Sequence, residues 1–108
     1  MGQTTAAVAV PQRLQALEQA NQVRLARAQL KRRVAGGGLA AAEVVLTSPW
    51  QTRTMSVGEL LMSQRGWGRA RTRRLLVSLS VPENKQIATL TERQRLAIAA
   101  VLTQGRPA

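Results

Sequence analysis

Residues 65–74 read Arg-Gly-Trp-Gly-Arg-Ala-Arg-Thr-Arg-Arg. Two glycines bracket one large apolar residue, and Arg69, Arg71, Arg73 and Arg74 follow where a helix would start. Glycine lets backbone N–H groups approach a ligand closely, and a helix N-terminus attracts anions. Cations added at that point make phosphate the natural guest. Gly66-Trp67-Gly68 therefore predicts a tight hairpin between two helices, and the flanking sequence supplies both. Upstream, Ser56 with Glu59 three residues on is a capping-box signal that opens a helix ending at Arg65-Gly66. Downstream, a helix from about Ala70 to Leu79 turns Leu75, Leu76 and Leu79 inward. Ser80-Val81-Pro82 is a turn, and residues 83–90 make an extended or two-turn connection. Thr91 with Gln94 is a second capping box, opening a last helix over Glu92–Leu102.

Working toward the N-terminus, Leu39–Leu46 predicts a short helix carrying Leu39, Val44 and Val45, broken at Thr47-Ser48-Pro49. Trp50–Thr54 reads as a loop, with Trp50 expected as a core plug beneath it. Residues 12–35 are mostly Gln, Arg, Leu, Ala and Glu, all good helix formers, and Gly36-Gly37-Gly38 stops them and makes a hinge. Leu14, Leu25 and Ala28 lie on one side of that helix, and Val23, Leu30 and Val34 on another, so it packs along only part of its length. Residues 1–11, ending at Pro11, read as a disordered N-terminus, and 104–108 as a frayed tail. No alternation is long enough to demand a strand. The expected fold is all-α: a long helix, hinge and short helix (12–46), a linker (47–54), and a compact helical domain (55–103).

The composition agrees with a polyanion partner. Sixteen Lys and Arg against five acidic residues leave +11 on 108 residues, a charge that repels its own kind and draws nucleic acid. Fourteen of the sixteen cations are arginine, which forks onto phosphate with two hydrogen bonds. A GC-rich coding sequence accounts for most of the Arg:Lys ratio, so only the net charge is the functional signal. With no Cys and no His, disulfides, Cys/His zinc sites, thiol nucleophiles and histidine bases are all excluded. The glutamates at 18, 43, 59, 83 and 92 are scattered, so no paired-carboxylate site is expected. The expectation is no enzyme, no metal and no cofactor. No apolar run reaches the ~18 residues of a membrane span, Met1–Val10 lacks the basic leader of a signal peptide, and the absence of Cys fits a reducing cytoplasm. Without Phe or Tyr, the core must be built from aliphatic side chains.

Helix, G-x-G hairpin, Arg-rich helix, two-turn connection and last helix is the layout of a helix-two-turn-helix unit. With it in view, the chain resembles the actinobacterial integration host factor family of nucleoid-associated proteins. The resemblance runs ungapped over most of 12–46 and over 55–102. It lies in Ala-Leu-Glu-Gln-Ala (16–20), Arg24, Arg27-Ala28, Leu30-Lys31, Arg33 and the Gly pair after it, then in Met55-Ser56-Val57 and Glu59-Leu60-Leu61. Gly66-Trp67-Gly68-Arg69-Ala70-Arg71 stands where the family has Gly-Val-Gly-Lys-hydrophobic-Arg or Lys. The resemblance implies a long N-terminal helix laid on a domain like the helix-two-turn-helix of a small-subunit ribosomal protein. It also implies a job: binding duplex DNA with little sequence preference, bending or compacting it, and assisting integrase-type recombination. The β-ribbon heterodimer that shares the name is a different fold. Where the family carries Arg-Arg-Val-Arg-Gly-Leu-Gly, this chain has Lys85-Gln86-Ile87-Ala88-Thr89-Leu90-Thr91. That segment should make fewer phosphate contacts and build its turn without glycine. Such divergence fits a copy carried by a bacteriophage or mobile element.

The candidate DNA-binding residues are Gly66, Trp67, Gly68, Arg69, Arg71, Arg73 and Arg74, with Arg69 and Arg71 favoured by register. Gly66 and Gly68 are either steric necessities of the hairpin or donors to phosphate. Trp67 either packs on the domain or enters a groove as a wedge. Arg53, Lys85 and Arg93 are rim candidates; Arg95, beside Arg93 early in the last helix, is electrostatically awkward there unless a phosphate faces it. Arg24, Arg27 and Lys31 share, with Arg13, a stripe about 60° wide on the long helix, which is either a solvated face or an arm that follows DNA. The expected chain is a monomer in solution, associated with the nucleoid in the cytoplasm. Binding structured RNA, or serving as an adaptor that docks an integrase on the long helix, are the alternatives.

Overall fold

The structure is a computed structural model that describes the backbone of residues 2–104 and side-chain surroundings from residue 11 onward. Among the described residues five helices follow one another: α1 Gly2–Ala35, α2 Ala41–Thr47, α3 Val57–Met62, α4 Arg69–Ser78 and α5 Glu92–Gln104. Short 3₁₀ turns occupy Trp50–Thr52 and Ile87–Thr89. The fold is all-helical, with a long N-terminal helix on a compact domain.

Helix α1 starts ten residues earlier than position 12, at Gly2, and runs through Pro11 where the sequence predicted disorder. A helix already nucleated downstream extends cheaply, because each added residue gains one bond for one pair of dihedrals. Of its two apolar sides, the fold uses one: Leu30 and Val34 are buried, whereas Leu14 and Leu25 are exposed. Residues 11–20 are exposed throughout, so this part of α1 stands clear of the domain. The expected glycine hinge is a hydrogen-bonded cap, in which Gly36, Gly37 and Gly38 donate N–H bonds to the carbonyls of Arg32, Val34 and Arg33. The frayed tail after Gln104 lies outside the described residues.

One core draws on both sides of the expected linker. Leu30 and Val34 of α1 and Val44 and Val45 of α2 cluster with Leu60, Leu61, Leu76 and Ile98 from the helices beyond it. Within residues 47–54 Thr52 is fully buried, as is Met55 just beyond them, so the connection is anchored to the core at its C-terminal end. Trp50 corrects the sequence expectation: it is 61% exposed. A 3₁₀ turn superposes residues three apart, so Thr52 and Met55 share the inward side and Trp50 points away. Arg95 ties the core's edge together, donating to the Val45 and Ala88 carbonyls at 2.7 and 3.2 Å.

The connection over 83–90, which contains no glycine, is held by backbone pairing. The Val57 and Gly58 N–H groups donate to the carbonyls of Lys85 and Glu83, and the Ile87 N–H to that of Met55. Thr91 and Gln94 then form a complete capping box, each side chain bonding the other's backbone N–H at 3.1 and 2.9 Å.

Candidate functional site

The hairpin between α3 and α4 forms for local reasons. Gly66 has φ +81°, a left-handed value that side chains disfavour. Trp67 folds back, its N–H donating to the Gln64 carbonyl at 3.1 Å. Gly68 is the residue preceding α4, in extended backbone, and has no side chain with which to cap the helix. The first intrahelical bond is Thr72 N–H to the Gly68 carbonyl, so the N–H groups of residues 69–71 have no helical acceptor. Gly66, Gly68, Arg69 and Arg71 are all exposed around that end. The arrangement is a set of N–H donors without helical acceptors at a positive helix terminus, with the exposed Arg65, Arg69 and Arg71 adjacent to it in sequence.

Helix α4 distributes its arginines by its inward face. Thr72 and Leu76 are buried, which puts Arg69 and Arg73 to one side and Arg71 to the other at about 100° per residue. Arg73 turns to Glu83, 2.8 Å away, so part of its charge is spent bracing α4 on the 83–87 segment. Arg71 lies over the Trp67 ring, 4.1 Å from its centroid, a cation–π contact. Trp67 itself is half-buried and packs on the core cluster. It is a platform for Arg71. Beside it opens a groove of about 390 Å³ lined by Arg65, Trp67, Arg71, Gly36, Gly37 and Leu102, among others.

The stripe on α1 divides. Arg27 and Lys31 meet Glu59 of α3 at 2.7 and 2.9 Å. Arg24 joins them around a cleft of about 280 Å³. Glu59 was legible only as a capping residue. Its N–H does bond the Ser56 hydroxyl at 3.1 Å, but its carboxylate leaves the cap to hold α1. Arg27 and Lys31, four apart on one face, were the signal for an acidic partner; its position 28 to 32 residues away in sequence was not readable. Burial pushes the Glu59 carboxyl up, but the Lys31 hydrogen bond and the Arg27 and Lys31 charges outweigh it and set its pKa below the usual value. A carboxyl depressed by folding adds stability above its unfolded pKa and loses it as pH falls through its folded one. The melting temperature of the wild type should therefore exceed that of Glu59→Gln near neutral pH. This gap should close as pH drops below the ordinary 4.5. A gap that persists unchanged into acid would mean the charge is not what ties α1 down.

Arg53 and Arg93 are exposed and Lys85 is half-exposed, on separate elements away from the hairpin in sequence. Arg95 is turned to carbonyls, which answers the awkward charge at the start of α5. Among the described residues, no group of His, Cys, Asp and Glu is placed to hold a metal ion, and no helix is long and apolar enough to cross a membrane.

No protein-family model matches this chain, and no curated protein matches it at a significant level. Among solved structures, it is similar to a chain described as "Structure of sIHF bound to an 8bp palindromic DNA", with 25% identity and a TM-score of 0.72. The match covers 79% of this chain and 98% of that one. That neighbour is an integration host factor in complex with DNA, and the likeness gives this chain an integration-host-factor-like fold.

Proposed function

We propose that the chain is a non-enzymatic architectural protein of the actinobacterial integration host factor type. It binds duplex DNA with little sequence preference through its phosphates, bends or compacts it in the nucleoid, and assists integrase-type recombination. The DNA-bound state of the structural neighbour supports this reading, as does the +11 charge. The observation that carries it is the uncapped start of α4 behind Gly66-Trp67-Gly68. Arg65, Arg69 and Arg71 are exposed beside it and Arg74 is exposed further along α4, and the three ion pairs among the described residues leave all four out.

Within this reading the residues take different roles. Arg69, Arg71 and Arg74 contact phosphate, and the N–H groups after Gly68 add donors to the same strand. Arg73 contributes less, because Glu83 holds it. Arg24, Arg27 and Lys31 set three cations against one carboxylate, a secondary contact for a backbone passing along α1. Arg53, Lys85 and Arg93 are rim contacts.

Salt titration tests the reading. The slope of log K against log salt is about −0.9 per phosphate neutralised. With four to five cations engaged, affinity should fall roughly 10²–10³-fold between about 50 and 200 mM salt. A slope near zero would overturn phosphate binding, and preference for structured RNA over duplex DNA of equal length would redirect it.

A further inference from the structure

Helix α1 has two apolar sides and the domain covers one. The other carries Leu14, Leu17 and Leu25, which are 54%, 58% and 62% exposed. At about 100° per residue these three fall within an ~80° stripe, roughly opposite Leu30 and Val34. We infer that this stripe pairs, in parallel and in register, with α1 of a second copy of this chain when two copies lie on one duplex. The inference rests on the duplex-DNA reading above.

The spacing identifies the occupant. Leu14, Leu17 and Asn21 are a, d and a positions of a heptad, and a single Asn at an a position specifies the register of a two-stranded coiled coil. Arg13 and Glu18 are then the g and e positions that flank the seam. In a parallel pair, g of one helix meets e of the other five residues on. Arg13 of each copy thus faces Glu18 of the other, giving two ion pairs by symmetry. An antiparallel pair sets g beside g and e beside e and loses both. Over residues 13–21 the stripe is complementary to itself in charge, as an isologous contact must be.

Its size explains why pairing depends on DNA. The two leucines at a and d, Leu14 and Leu17, offer roughly 100 Å² each, so two copies bury on the order of 400 Å² there, about a third of the ~1,200 Å² at which specific stable interfaces begin. Each copy also carries +11, and the charges repel. The free chain is therefore monomeric. On a duplex, phosphates neutralise the charge and proximity raises the effective concentration toward the millimolar range, where a weak seam forms. A parallel pair leaves both hairpin domains at the same end, side by side on the duplex, and makes binding cooperative.

The chain contains no cysteine, so Leu14→Cys places a single thiol at the seam, at an exposed position that does not disturb the fold. Under mild oxidation the full-length variant should form a disulfide-linked dimer on a long duplex. It should remain monomeric without DNA and on a duplex that holds one copy. On the long duplex, Leu14→Gln with Leu17→Gln should lower the Hill coefficient from above 1 to 1, with one-copy affinity unchanged within about twofold. Glu18→Arg should also abolish cooperativity, and Arg13→Glu with Glu18→Arg should restore it. Crosslinking that ignores DNA, no crosslinking on a duplex the variant demonstrably coats, or cooperativity that survives the glutamines would each overturn the pairing. In that event the leucine face serves another protein, such as a recombinase, or nothing. Loss of binding to the one-copy duplex would instead indict the DNA reading itself.

Discussion

Replacing Arg69 and Arg71 together by alanine should weaken binding to every duplex by on the order of 100-fold at low salt. Both flank the uncapped start of α4, both are exposed, and neither takes part in an ion pair among the described residues. Two lost phosphate contacts should also flatten the log–log salt slope by about 2 units. Arg73→Ala is the internal comparison. Its guanidinium already faces Glu83, so its removal should cost several times less affinity. Filter binding on duplexes of unrelated sequence, at several salt concentrations, measures all three quantities. If the double variant loses one sequence and keeps the others, the arginines read bases and the phosphate account fails.

The second large effect concerns stability. Gly58→Ala should destabilise the fold by about 1–3 kcal/mol, the usual cost of overpacking a tight interior. A methyl group there would lie 2.9 Å from the Glu83 carbonyl oxygen and 3.4 Å from the Glu83 Cβ. The nearer obstacle is backbone, so relief must move the whole 83–87 segment. That segment is fixed by the Val57, Gly58 and Ile87 N–H bonds. At ~4–8 °C per kcal/mol for a domain of this size, the melting temperature should fall by roughly 4–24 °C. The hairpin glycines give a graded comparison. Gly66→Ala meets no neighbour within 4 Å but must adopt φ +81°, and should cost about 1 kcal/mol. Gly68→Ala meets neither obstacle and should be nearly neutral in stability. Thermal melts that do not rank Gly58 first would show that the 83–87 segment yields easily.

The hairpin and the helix order were legible because their causes are local. A positive φ at Gly66 and the Ser56 and Thr91 caps depend on residues within three or four positions of each other. The partition of α1 was not legible, since both of its apolar sides satisfy the same periodicity and only docking on the Trp50–Thr52 turn and the shared core selects Leu30 and Val34. Arg27 and Lys31 were correctly seen as sharing a face, but what faces them lies on another helix. Trp50 misled because size was taken for burial. The turn after Pro49 superposes Thr52 and Met55 on the inward side, and a small threonine takes the place expected for the indole. Arg71 lies above the Trp67 ring, a relation that the linear sequence contains but does not display.

That last contact has an optical consequence. With no tyrosine or phenylalanine in the chain, its near-ultraviolet emission comes entirely from two indoles. One stands mostly in water; the other is half-buried beneath a guanidinium. A ring's excited state responds to a charge a few ångströms from its face, so drawing Arg71 toward a phosphate would shift or dim the Trp67 signal. With Trp50 replaced by leucine, the protein would carry its own single-colour gauge of hairpin occupancy, needing no attached dye and leaving the cationic surface untouched.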